Sequence, residues 1–238
     1  MWRSVWLVCF ILISLPASAA APNLNSAVSG DFPEGLQTQF IRYLSAKLNA
    51  EAVISTMPYA RRLIELDDGS LDLMVGVSTS APIGGHTVLI YPAYDSLQLG
   101  IYVLKGNENS INQAQDLRQH ILSLTRYADS DAVLQDIPES HIVPARSLEQ
   151  KIEMLLKGRL DAFIHVAPST NLRLQQMGLA TQIVPAAYQP SLELKQYVAV
   201  SKKSWLYQHI AKLESIISQG VANGDFAAIR REYYAKPR

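Results

Sequence analysis

LDDGSLDLMVGV, residues 66–77, decides the fold, because it returns in altered form as LLKGRLDAFIHV at residues 155–166. Both copies keep the pattern L-x-x-G-x-L-D-x-x-x-x-V. Each reads as the last turn of a helix, a glycine just past its end where a positive φ is cheap, and an apolar strand opened by Asp72 or Asp161. A separation of 89 residues is too long for a solenoid repeat and suits one device used in two successive α/β lobes. Two like lobes imply a cleft between them.

Working outward, the chain begins with Arg3, an apolar run from Val5 to Leu15, Pro16 and the small residues Ala17 to Ala21. This is the pattern of a secretory signal peptide over residues 1–20, since the apolar run falls short of the roughly 18–20 residues a membrane span needs. The protein is therefore expected in the periplasm. Its single cysteine, Cys9, lies inside the leader, so the mature chain has neither a disulfide framework nor thiol chemistry.

About 218 residues remain, enough for one large or two modest cores. Without Arg3, 20 basic residues face 21 acidic ones, which gives no electrostatic footprint for nucleic acid. A charged fraction of 18% against 48% hydrophobic fits a folded globular protein.

Hydrophobic periodicity places the elements. A strand is expected near residues 23–28, a turn from Gly30 to Gly35, and a helix on Leu36, Phe40, Leu44 and Leu48. A strand at Ala52 to Ile54, a helix from Pro58 to Leu66 and a buried strand from Leu71 to Val77 follow. Thr87 to Ile90 and the alternating Leu97 to Leu104 lie either side of Tyr91-Pro92-Ala93-Tyr94. Beyond them the pattern predicts a helix over Ser110 to Arg118, a strand at Ile121 to Thr125, a helix over Ser130 to Asp136 and a strand at His141 to Val143. A helix from Ser147 to Lys157 opens on a capping box, Ser147 with Gln150. After the strand Leu160 to Val166, Ser169 is placed to cap a helix running to Met177. Tyr197 to Val200 forms a second crossing, Ser204 caps a helix, and a short helix through Phe226 and Tyr233 returns to the first lobe.

The order of these pieces, with the ending QYVAVSKKS…GVANGDFAAIRREYY, resembles the periplasmic solute-binding proteins of the polar amino-acid ABC-importer type, extracellular family 3. The resemblance implies a type II fold of two α/β lobes, each a mixed sheet flanked by helices, hinged on two crossing strands. Lobe 1 would comprise residues 21–96 and 197–238, and lobe 2 residues 97–196. It further implies a monomeric, cofactor-free binder of a small polar or organic solute that serves an inner-membrane ABC permease. A sensory input protein for a membrane receptor is the competing role, with a cyclohexadienyl-dehydratase-like lyase on the same fold as the minority reading. The pocket departs from the family. An ungapped alignment puts Gly84 where the family keeps its carboxylate-clamping arginine, and Val166 where it keeps an aspartate for the ligand ammonium. A standard amino acid is thus not the expected ligand.

Residues that can carry binding cluster near strand ends. Tyr59 and Arg61 lie in a P-Y-A-R turn at a helix N-terminus and offer a stacking face and a guanidinium fork. Arg126 and Tyr127 follow the strand Ile121 to Thr125 in the same way. Ser78, Thr79 and Ser80 leave the carboxyl end of a buried strand, Tyr94 lies at the crossing, and His165 sits in the repeated strand on the face opposite Val166. No nucleophile elbow, metalloprotease motif or phosphate loop is present, and His86, His120, His141, His165 and His209 lack metal-ligand spacing.

Overall fold

The computed structural model describes residues 20–124, 136–190 and 193–235. Residues 1–19 of the expected leader, the helix over Ser130 to Asp136 except its last residue, and Arg126 and Tyr127 lie outside the described residues. Among those described, no helix is long and apolar enough to cross a membrane.

β1 (Asn23–Val28) and β2 (Glu51–Thr56) are parallel neighbours connected by α1 (Leu36–Leu48). Phe40, Ile41, Leu44 and Leu48 fall on one stripe of α1 and are buried, the outcome that i, i+4 spacing dictates. α2 (Tyr59–Asp68) leads into β3 (Leu73–Val77). β4 (Thr87–Leu104) is one long strand where the sequence indicates two pieces; its register slips between Ile90 and Asp95, and the Tyr91–Pro92 peptide there is cis. β5 (Leu122–Ser123), β6 (Ala162–Val166) and β7 (Ile183–Pro185) join the distal part of the sheet, and β8 (Glu193–Ser201) pairs antiparallel with β4 on both sides of the slip. The strand order is β3-β8-β4-β6-β5, with β7 also on β4. β4 and β8 thus run from one half of the molecule into the other.

The two copies of the repeated stretch have the same build. Gly69 (φ 94°) and Gly158 (φ 65°) end their helices in the left-handed region, where a side chain would be strained. Asp72 Oδ2 accepts the Asn25 N–H at 2.7 Å and Asp161 Oδ2 accepts the Ile121 N–H at 2.7 Å. In return, the backbone N–H of Asp72 donates to Asn25 O and that of Asp161 to Ile121 O, at 2.9 and 2.8 Å. Each aspartate therefore locks its strand to the neighbour through both backbone and side chain.

In each half a sheet is packed between helices. Leu73, Val75, Val198 and Val200 face α1 and α5 (Ile210–Ala222), with Phe226 of α6 (Asp225–Ala235) closing the cluster. Met74, Val77 and Ala199 face Leu63 and Leu66 on α2. In the other half Ile101, Val103, Ala162 and Ile164 form one layer; Tyr102 and Phe163 face α3 (Leu148–Leu156) and α4 (Ala167–Gln176) in the other.

Three local expectations are corrected. Ser110 to Arg118 forms 3-10 turns at Glu108–Ser110 and Ala114–Gln119, because Asp116 Oδ2 takes the N–H groups of both Asn112 and Gln113 and holds the chain in a tight turn. His141 to Val143 contributes one bridge, Leu122 to Ile142, after a 3-10 turn at Glu139–His141. α4 starts at Ala167 with Pro168 in its first turn, where a missing N–H is harmless. Ser169 is therefore no cap, and its hydroxyl lies 3.3 Å from the Tyr234 hydroxyl.

Candidate functional site

The carboxyl ends of β1, β2 and β3 point toward the N-termini of α1 and α2, and this is where the first half gathers its polar groups. Tyr59 is the first residue of α2. Arg61 points outward and pairs with Glu65 one turn on. Its neighbour Arg62 is the inward residue, 4% exposed. Arg62 Nη1 donates to Gln37 Oε1 at 3.2 Å, and its guanidinium lies 5.1 Å from the centre of the Tyr59 ring. Burial pushes the Arg62 pKa down to about 10, and its Nε is buried with no hydrogen-bond partner. Gln37, near the start of α1, fills the space over Gly76: a Cβ on Gly76 would sit 2.2 Å from Gln37 Nε2. Gly76 is also held at φ 78°, so both space and backbone call for glycine.

Tyr94 is buried in an aromatic cluster with Phe40 and Phe226, centroids 5.0 and 5.2 Å away, while its hydroxyl meets the backbone N–H of Gly76. Burial raises its pKa, so it remains a neutral phenol. Ser78, Thr79 and Ser80 form the turn beyond β3. Ser78 Oγ and Ser80 Oγ lie 2.9 Å apart, and Ala81 N–H returns to Ser78 O. Gly84 rests on Asp67, whose carboxylate a Cβ would meet at 2.2 Å; Asp67 Oδ1 takes the N–H of His86 and the hydroxyl of Thr87. A side chain at residue 84 would have to displace the Asp67 carboxylate, and glycine itself offers nothing to clamp a ligand.

On the other half, β6 ends in His165 and Val166. Val166 packs against the apolar layer of Ile101 and Ile164. His165 Nδ1 lies 3.0 Å from Thr170 Oγ1, and Thr170 Oγ1 donates its proton to Val166 O at 2.9 Å. The histidine must therefore donate from Nδ1, which leaves Nε2 as an acceptor. Desolvation first, and the nearby Lys151 ammonium second, push its pKa down to about 3, so it is neutral at pH 7. Lys151, buried on α3, donates to Ile164 O at 3.1 Å, and desolvation lowers its own pKa to about 7.

The halves also touch. Arg173 of α4 pairs with Glu149 of α3 at 2.8 Å, donates to Asp31 O at 3.1 Å and lies 5.1 Å from the centre of the Phe32 ring. Phe32, from the loop before α1, packs onto the Tyr102 and Phe163 layer of the opposite half. The Asp31 carboxyl is partly buried there, and desolvation and Glu149 raise its pKa against the opposing pull of Arg173.

Solved structures share this arrangement over about nine-tenths of the chain. An amino acid ABC transporter substrate-binding protein from Streptococcus pneumoniae bound to L-arginine is similar with a TM-score of 0.74 at 16% identity, over 89% of this chain and 94% of that one. A histidine kinase sensor domain similar to periplasmic binding proteins gives 0.76 at 14%, over 91% and 97%. An ancestral amino-acid-binding protein described as a precursor of cyclohexadienyl dehydratase gives 0.70 at 13%, over 89% and 95%. The fold is that of the two-lobed periplasmic binding proteins. No family model and no curated protein sequence matches the chain.

The structure brings Tyr59 and Tyr94 together around Gly76, leaves Ser78 to Ser80 on the adjoining turn, turns Arg61 to solvent, and sets His165 on the opposite half. Arg62 and Gln37 are additions. The signal for Arg62 was its helical spacing: it shares a face with Tyr59 and Leu66, at i−3 and i+4, whereas Arg61 shares one with Glu65. A pocket of about 580 Å³ opens at the crossing strands, lined by Tyr91, Tyr197, Glu193 and Lys195, with the Asp95–Arg230 ion pair in its wall. Among the described residues, no three His, Cys, Asp or Glu side chains converge as a metal site.

Proposed function

We propose that this protein is an exported, periplasmic solute-binding protein that captures a small polar or organic solute between its lobes and presents the closed form to an inner-membrane ABC importer. The observation that supports this most directly is the pair of crossing strands, β4 and β8, with polar groups of both halves gathered at strand ends beside them; ligands of open α/β sheets bind at such ends. A standard amino acid is not the ligand, because Gly84 offers nothing to clamp a ligand and Val166 is apolar. The test is small-angle scattering of the mature protein with and without a ligand found in a thermal-shift panel of amino acids, amines, organic acids and short peptides. Compaction at saturation is expected. A radius of gyration that does not change sinks the capture model, and product formation by the purified protein alone replaces it with an enzyme.

A further inference from the structure

Three partly or fully buried arginines hold the molecule together, and two of them face carboxylates: Arg173 pairs with Glu149, and Arg230 with Asp95. Arg62 does not. It is the most deeply buried of the three and has the Gln37 amide on one nitrogen and the Tyr59 ring against its plane; all three carry a buried Nε without a hydrogen bond, but of the three only Arg62 also lacks an ion pair. Among the described residues no carboxylate pairs with it. A buried cation without a counter-charge is costly to keep, and arginine's planar fork matches a carboxylate edge to edge. Several buried or half-buried acids are committed elsewhere: Asp67 to His86 and Thr87, Asp95 to Arg230, Glu149 to Arg173. In the other half, Lys151 is a buried basic group that donates to Ile164 O, and His165, tied to Thr170 through Nδ1, offers a neutral acceptor.

From this geometry we infer that Arg62, with Gln37 and Tyr59, forms an anion seat for the carboxylate of a small organic acid that lacks an α-ammonium group. The seat rests on the cleft-binding reading above and names its ligand class. One guanidinium and one amide suit a single carboxylate; a phosphate dianion calls for more positive charge. The Tyr59 ring favours a flat or apolar body next to the carboxylate.

The experiment uses the full mature chain in thermal shift and tryptophan fluorescence, Trp205 being its only tryptophan once residues 1–20 are removed. Benzoate, succinate and acetate are compared with benzamide, benzylamine and glycine as neutral, cationic and zwitterionic counterparts. At least one carboxylate is expected to raise the melting temperature where its counterparts do not. Arg62→Gln should weaken that ligand on the order of a hundredfold or more. Arg62→Lys keeps the charge but not the fork; it should weaken binding by about tenfold and stands in if Arg62→Gln does not fold. No response to any carboxylate, or equal affinity in the wild type and both variants, overturns the seat. So does a response lost in Tyr197→Ala and retained in Arg62→Gln, which places the ligand in the pocket at the crossing. Compaction with benzylamine or glycine alone removes the seat and leaves the capture reading standing. Arg62-dependent carboxylate binding without compaction does the reverse.

Discussion

Gly76 and His165 occupy the same place in the two copies of one motif. In the first half the missing side chain admits the Gln37 amide, and through it the buried Arg62. In the second half an imidazole fills that place and ties itself to Thr170. The frames around them are alike, down to the 2.7 Å contact that each aspartate makes with the adjoining strand. The two copies share the parts that hold strands in register and differ in the polar work done near each strand's end. Frame and lining can thus be altered separately.

The largest expected effect tests the frames. Asp72 is buried and also accepts from the Asn25 amide and the Ser204 hydroxyl, whereas Asp161 is exposed and holds the Ile121 N–H. Asp72→Ala should cost about 3–5 kcal/mol in urea unfolding and Asp161→Ala about 1 kcal/mol. Equal losses would mean that the two frames carry equal weight and that burial does not separate them.

Next come the linings. Gly76→Ala combines a strained φ with a clash against Gln37 and should cost about 2–3 kcal/mol while weakening any carboxylate held by Arg62. His165→Ala removes one hydrogen bond of a partly exposed ring and should cost about 1 kcal/mol. If Gly76→Ala proved the milder of the two, the close approach of Gln37 would not be what the glycine serves.

A third effect is read through pH. Lys151 has its pKa lowered from 10.5 to about 7 in the folded protein, so between those values the unfolded chain binds more protons than the folded one. Stability therefore rises with pH across that window and is lowest below about pH 7. Lys151→Met should gain about 1–2 kcal/mol at pH 7 and flatten the rise between pH 7 and 9. A variant whose pH profile matches the wild type would show that the amine is charged and satisfied where it lies.

Much of this frame was legible in the residues. The helix-glycine-strand repeat fixes the left-handed Gly69 and Gly158, the paired strands and the alternation of apolar side chains. What was not legible depended on local competition. Asp116 outbids helix continuation around residues 110–118 by capturing two backbone N–H groups, and Pro168 moves the start of α4 ahead of Ser169. The lining was harder still. The P-Y-A-R spelling draws attention to Arg61, yet helical phase sends that residue to Glu65 and buries Arg62. Gln37 has no signature of its own, because its position over Gly76 arises only when α1 and β3 pack.

β8 has a further consequence, for the order in which the chain assembles. It lies between β3 and β4, with Val200 opposite Leu73, so β3 gains that neighbour only after more than a hundred intervening residues have been made. Val198, Val200, Leu213, Ile217 and Phe226, needed to close the cluster on α1, arrive equally late. The half begun first is therefore finished last. Until then it carries an open strand edge and an uncovered apolar face, and the loop-closure entropy of a distant pairing slows its completion. A chain built in this order stays unfolded longer during synthesis than one whose halves are each continuous, which accords with the export proposed above.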